Sequence, residues 1–66
     1  MIIKLDREAD ELYFRFDQNR IVESEEVEPG VILDFDEHNR VVGVEFLGIS
    51  LRASCEELTS IKFQTG

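Results

Sequence analysis

The chain holds one cysteine, Cys55, one histidine, His38, one proline, Pro29, and no tryptophan. Each scarcity closes off a class of protein. A single cysteine excludes any disulfide within the chain, and a lone thiol fits a reducing compartment. One Cys and one His cannot close a four-ligand zinc site. Seven basic residues against fifteen acidic leave a net charge of −8 and a pI near 4.4. Such a chain repels phosphate backbones and anionic lipid, so it is expected to bind neither nucleic acid nor membrane. No apolar run approaches the ~18 residues of a membrane span. The opening Met1-Ile2-Ile3-Lys4-Leu5-Asp6 meets charge too early for a signal peptide. A soluble, cytoplasmic protein is the expectation.

Length sets a second bound. Sixty-six residues make one small domain, 1–66. A chain of this size buries only about 60% of the surface that its unfolded form exposes. Small scaffolds generally lean on disulfides, metal or a partner subunit. With the first two unsupported, self-association is the expected helper, and a homodimer the expected state.

What is present is hydrophobicity of period two. Leu12, Phe14 and Phe16 alternate with Tyr13 and Arg15; Val31, Leu33 and Phe35 alternate with Ile32 and Asp34; Val42, Val44 and Phe46 alternate with Gly43 and Glu45. β-branched and aromatic residues suit a pleated sheet, and clean alternation marks antiparallel strands with one wet face. Ile2 to Asp6 reads as a first strand and Ile21 to Val27 as a third. Glu23, Ser24, Glu25 and Glu26 put charge on both faces of that third strand, as suits a sheet edge. Arg7 to Asp10, Gln18 to Arg20, Pro29-Gly30 and the segment around Asn39 are the breaks. The fold class predicted is mainly β (α+β): a small antiparallel meander of about five strands with a short C-terminal helix. Ser54-Cys55-Glu56-Glu57 has the form of a capping box opening that helix. Ile61 to Gln64 alternates again and suggests a last short strand. One longer helix from Ser50 to Ile61 is the alternative, and the short helix is preferred.

The acidic stretch Asp34-Phe35-Asp36-Glu37-His38-Asn39 invites a metal reading. Asp34, Asp36 and Glu45 occupy the first, third and twelfth places of a calcium loop, but His38 and Asn39 fill the fifth and sixth, and strands flank it. It reads instead as a hairpin tip, with Asp34 and Asp36 solvated on the outward face and Asn39 at a positive-φ turn position. His38 reads as a turn residue rather than a general base. Cys55 reads as a packed or tolerated thiol, since Glu56 and Glu57 oppose thiolate formation. The cluster Asp6, Glu8, Asp10 and Glu11 serves turn formation and solubility, with no desolvation in view. The run Glu23 to Glu28 is an edge or, secondarily, a strand offered to a basic partner. No catalytic, metal or cofactor residue is assigned. A non-enzymatic interaction module is the expectation, with carboxylate-based metal binding or a small enzyme as the remote rival.

The stretches "DREADELYF", "YFRF" and "ESEEVEPGVILDFDEHNRVVGVEFL" resemble a small prokaryotic family known as domain of unknown function 2283. The matching residues are Asp6, Asp10, Leu12, Tyr13, Pro29, Gly30, Val31, Asp34, Val41, Val42, Gly43, Glu45 and Leu47. The likeness ends near Ser50, and it departs at Leu5, where Tyr is common, and at Asn39-Arg40, where a Gly usually makes the turn. It implies a compact β-rich domain and brings no activity, cofactor or catalytic residue. Members of similar size accompany small toxins, which implies an antitoxin-like role as an alternative, with a small basic protein as partner.

Overall fold

The computed structural model of the protein describes residues 1–60, 62, 64 and 65. Five strands build one antiparallel sheet: β1 (Ile2–Asp6), β2 (Glu11–Arg15), β3 (Glu23–Glu28), β4 (Val31–Phe35) and β5 (Val41–Leu47). Their spatial order is β1-β2-β5-β4-β3. Sequential hairpins make β1–β2 and β3–β4–β5, and the β2–β5 pairing joins the two units. The segment 16–22 therefore travels from the middle of the sheet to its far edge. It is pinned by bonds from Phe16 N to Val42 O (2.8 Å) and from Val22 N to Phe35 O (2.9 Å).

Each turn follows from residues that tolerate it. Asp6 Oδ1 accepts from Ala9 N at 3.0 Å in the β1–β2 turn, which Asp10 completes at φ 54°. Gly30, after Pro29, has φ 82°, a conformation that an L side chain rarely adopts. Asn39 closes the β4–β5 hairpin at φ 60°, as its type foretold. After β5 the chain makes a 3₁₀ turn, Ile49–Leu51, and a helix α1, Cys55–Thr59. Ser54 caps α1, its hydroxyl accepting from Glu57 N at 3.1 Å. The short helix is thus the form taken, and not one helix from residue 50 to 61. The suggested strand from Ile61 to Gln64 rests on Ile61 and Phe63, which lie outside the described residues.

Register decides which side chains meet. Leu12, Phe46 and Val31 stand abreast across β2, β5 and β4, and so do Phe14, Val44 and Leu33. Ile3 and Leu5 continue these rows on β1, facing Phe14 and Leu12. Phe14 and Phe46 meet edge to face, with ring centroids 6.1 Å apart and planes at 84°. Val42, fully buried, sits where the β4–β5 register shifts. Among the described residues the apolar face closes at one end alone, where Ile49 N bonds to Asp10 O and Ile49 is buried. At the other end Ile3, Phe16 and Val41 are each about two-fifths exposed (39%, 41% and 39%). Among the described residues no second layer covers that end.

Candidate functional site: the carboxylates of the polar face

The opposite face of the sheet collects acids. Glu11, Tyr13 and Arg15 from β2, Glu45 and Gly43 from β5, Asp34 and Ile32 from β4, and Lys4 and Asp6 from β1 share it by register. Six of its residues, Lys4, Asp6, Glu11, Tyr13, Asp34 and Glu45, line a shallow cleft of about 340 Å³, with Ile21 of the 16–22 segment closing one side. Asp34 was expected in solvent, but it is only 4% exposed. Its Oδ1 accepts from Ser24 Oγ at 2.6 Å. The reason is positional: β4 is flanked on both sides, Ser24 of β3 stands opposite Asp34, and Ile21 borders the same cleft.

Gly43 explains how a carboxylate fits there. A Cβ at this position would lie 2.9 Å from Asp34 Oδ2, 3.0 Å from Tyr13 Oη and 3.2 Å from Phe14 O. The bare backbone of β5 is the floor on which Asp34 and Tyr13 rest. Arg15 reaches the same hydroxyl, donating from Nη1 at 3.5 Å, while its other nitrogens hold the carbonyls of Asp17 and Asn19.

The electrostatic centre of the face is Glu45. Its hydrogen bond with Glu11 holds the proton, burial adds to that, and the charges of Asp34 and Glu11 oppose ionisation. Together these push its pKa from the ordinary 4.5 up to about 7. A carboxyl that keeps its proton in the native state binds more protons folded than unfolded. Stability therefore falls as pH rises through the window from about 4.5 to about 7, and the loss is complete above it. Part of the shift is screened because the side chain meets water, so a loss on the order of 1–2 kcal/mol is expected. Thermal melts at pH 5, 6, 7 and 8 check this. Glu45→Gln should flatten that slope and raise the melting temperature at pH 8; an unchanged slope would mean that Glu45 titrates as an ordinary acid.

Asp36 leaves this group. It is 3% exposed and turned into the hairpin, where Oδ1 accepts from His38 N (2.9 Å) and Arg40 N (3.0 Å) and Oδ2 from Asn19 Nδ2 (3.1 Å). The hairpin-tip reading of the acidic stretch holds, but its two aspartates are buried organisers rather than solvated decoration. Asp34, Asp36 and Glu45 point to three different tasks: a serine, a turn and a second glutamate. Among the described residues no three His, Cys, Asp or Glu side chains are placed to hold a metal ion.

The remaining candidates are dispersed. His38 is exposed at the tip, 3.5 Å from Glu37 Oε1. Cys55 is exposed at the first position of α1, so it is not packed. Of the acidic cluster near the first turn, Asp6 caps that turn and Glu11 belongs to the cleft. Asp10 reaches forty residues onward to accept from Ser50 N (3.0 Å) and Ser50 Oγ (2.7 Å). Glu23, Glu25, Glu26 and Glu28 are exposed on the edge strand β3, as their pattern implied. The Glu11–Glu45 pair went unseen in the sequence. It depends on β2 lying against β5, a pairing between strands that are far apart along the chain.

No curated protein and no solved structure matches the chain. No helix of the described residues is long and apolar enough to cross a membrane. A family model described as protein of unknown function (DUF2283) matches residues 2–50, which takes in all five strands and both ends of the cleft. With about three-quarters of its length inside that match, the chain belongs to the DUF2283 family.

Proposed function

We propose that this domain is a non-enzymatic protein–protein interaction module that works as a homodimer. One observation carries the reading: the open end of the apolar face, where Ile3, Phe16 and Val41 stand beside half-buried Phe14 and Phe35. Apolar surface of this kind, contiguous across four strands, marks a surface that a partner covers. A thin one-layer sheet also gains most from a second copy, since association supplies the buried area that a short chain lacks. The carboxylates of the polar face support the non-enzymatic reading, because each already serves another residue of the fold. Even the raised Glu45 is explained by its two acidic neighbours.

Sedimentation at tens of micromolar should give the mass of a dimer. Phe16→Glu should leave the fold intact, because Phe16 lies beyond the end of β2 and is already partly in water. It should weaken the dimer at least about 30-fold, the effect of losing one central apolar anchor. A wild-type protein that sediments as a monomer would overturn the reading.

A second reading has its own observation. The β3 edge presents four exposed glutamates to anything that approaches it. This suits a small basic partner, in the manner of an acidic antidote to a basic toxin. If charge drives that encounter, association slows steeply as salt rises.

A further inference from the structure

We infer that two copies join along β1, antiparallel and centred on Leu5, so that two five-stranded sheets become one of ten strands. The inference rests on the dimer reading above and names its seam. The two edges of the sheet are unlike. On β3, four glutamates and a register shift between Glu26 and Glu28 guard the edge, both being devices that blunt strand pairing. On β1, the sequence Ile-Ile-Lys-Leu-Asp has no proline, pairs with β2 without a shift, and carries one charge of each sign. Ile2 and Ile3 are exposed on it. This less guarded edge also adjoins the open apolar end, where Ile3 faces Phe14.

Geometry then narrows the register. Residues directly opposite in an antiparallel pair share a face, so the two-fold axis must pass through a residue and not between two. Otherwise the apolar face of one copy would continue the polar face of the other. An axis at Lys4 sets ammonium against ammonium. An axis at Ile3 leaves both Asp6 side chains without a cation. An axis at Leu5 sets each Lys4 opposite the partner's Asp6, an opposite-charge pair made twice. It also sets Ile3 opposite the partner's Arg7. That position overlooks a small, largely apolar groove of about 180 Å³ whose walls include Leu5, Arg7, Ile49 and Leu58. The exposed isoleucine of one copy meets the unfilled groove of the other. A twisted sheet of about ten strands curls on itself. The Ile3, Phe14 and Phe16 side chains of both copies then lie on the strands nearest the seam, on the side towards which the joined sheet would curl.

Charge exchange tests the seam. Lys4→Asp alone sets aspartate against aspartate twice, and Asp6→Lys alone sets lysine against lysine twice. Each variant should sediment as a folded monomer, with at least about tenfold weaker self-association, while an equimolar mixture restores both pairs and returns to the dimer. Asp6→Lys also gives up the bond to Ala9 N, so far-UV dichroism accompanies each measurement. A register probe needs no charge change. In a Cys55→Ser background, Leu5→Cys should cross-link two copies on oxidation, because the two thiols face one another. Ile3→Cys should not, its thiols lying about 13 Å apart along the strands. Single charge variants that stay dimeric, a mixture that stays monomeric, or cross-linking through Ile3→Cys instead would overturn the seam and leave the dimer standing. A wild-type monomer would overturn both.

Discussion

Gly43→Val should cost about 3 kcal/mol of stability and lower the melting temperature by roughly 15 °C. The position is crowded from three directions, and the three neighbours do not yield alike. Asp34 Oδ2 and Tyr13 Oη, 2.9 and 3.0 Å from where a Cβ would sit, are ends of side chains and can swing away. Phe14 O, at 3.2 Å, is backbone in the paired strand β2 and moves only if the ladder does. A single methyl displaces the two side-chain ends by a few tenths of an ångström. It also gains from a less flexible unfolded chain, so Gly43→Ala should change stability by less than about 1 kcal/mol. Valine adds two further carbons at the same spot. These must expel Asp34 from the hydroxyl of Ser24 or push Tyr13 off the floor, which adds a lost hydrogen bond to the overpacking. Total stability for a domain of this size is on the order of 3–10 kcal/mol, so the variant would stand near the edge of folding. Differential scanning calorimetry of the two variants, alone and with Tyr13→Phe, measures this directly. Removing the hydroxyl should recover part of the loss in Gly43→Val, whereas strictly additive effects would show that Tyr13 is not the obstacle.

That single glycine also shows how far the sequence could be read. The alternation of Leu12, Phe14, Val42, Val44 and Phe46 announces strands and says which side is oily, because side-chain direction has period two whatever the neighbours are. It does not say which strand lies beside which. The pairing of β2 with β5 joins segments some thirty residues apart, and only that pairing brings Glu11 to Glu45 and Tyr13 over Gly43. The strands, the edge character of Glu23 to Glu28, the Asn39 turn and the Ser54 cap were legible because each is local. The burial of Asp34 and Asp36 was not. Alternation placed Asp34 on the outward face correctly, but outward was equated with wet, and Asp36, past the end of β4, turns into the hairpin instead. A segment crossing from β2 to β3 brings Asn19 and Ile21 over that face, and nothing local in residues 16–22 signals its path. The polar face is thus roofed at one end by its own connection, while the oily face is left open at the same end. This division is consistent with the proposed homodimer, in which a second copy covers the oily side. The acids hold the sheet's shape from behind, and the front stays available.

Asp36→Ala should lower the melting temperature by roughly 10 °C and remove the acid sensitivity of the hairpin tip. The carboxylate accepts three hydrogen bonds, two from backbone amides that close the turn and one from Asn19 in the crossing segment. An ionised acceptor roughly doubles the worth of each bond relative to a neutral one. Removing it unties the β4–β5 turn from its own amides, and the 16–22 segment from the turn. These bonds favour the charged form, with the Arg40 amide the largest influence, so the Asp36 pKa lies below its ordinary 3.8. The sign follows. A depressed acid contributes stability that is present above its unfolded value and is lost as pH falls through its folded one. Wild-type protein should therefore lose stability below about pH 4, a trend opposite in sign to that of Glu45, which acts between about 4.5 and 7. The two together set a maximum in weakly acidic solution, near the foot of the Glu45 window. In Asp36→Asn one acceptor oxygen survives without the charge, so the turn should close while its acid limb flattens. Melting temperatures from pH 3 to pH 8 for wild type and both variants separate the contributions. A wild-type curve that rises steadily from pH 4 to pH 8 would show that Glu45 does not keep its proton, and one that stays flat below pH 4 would show that Asp36 is not held as the geometry requires.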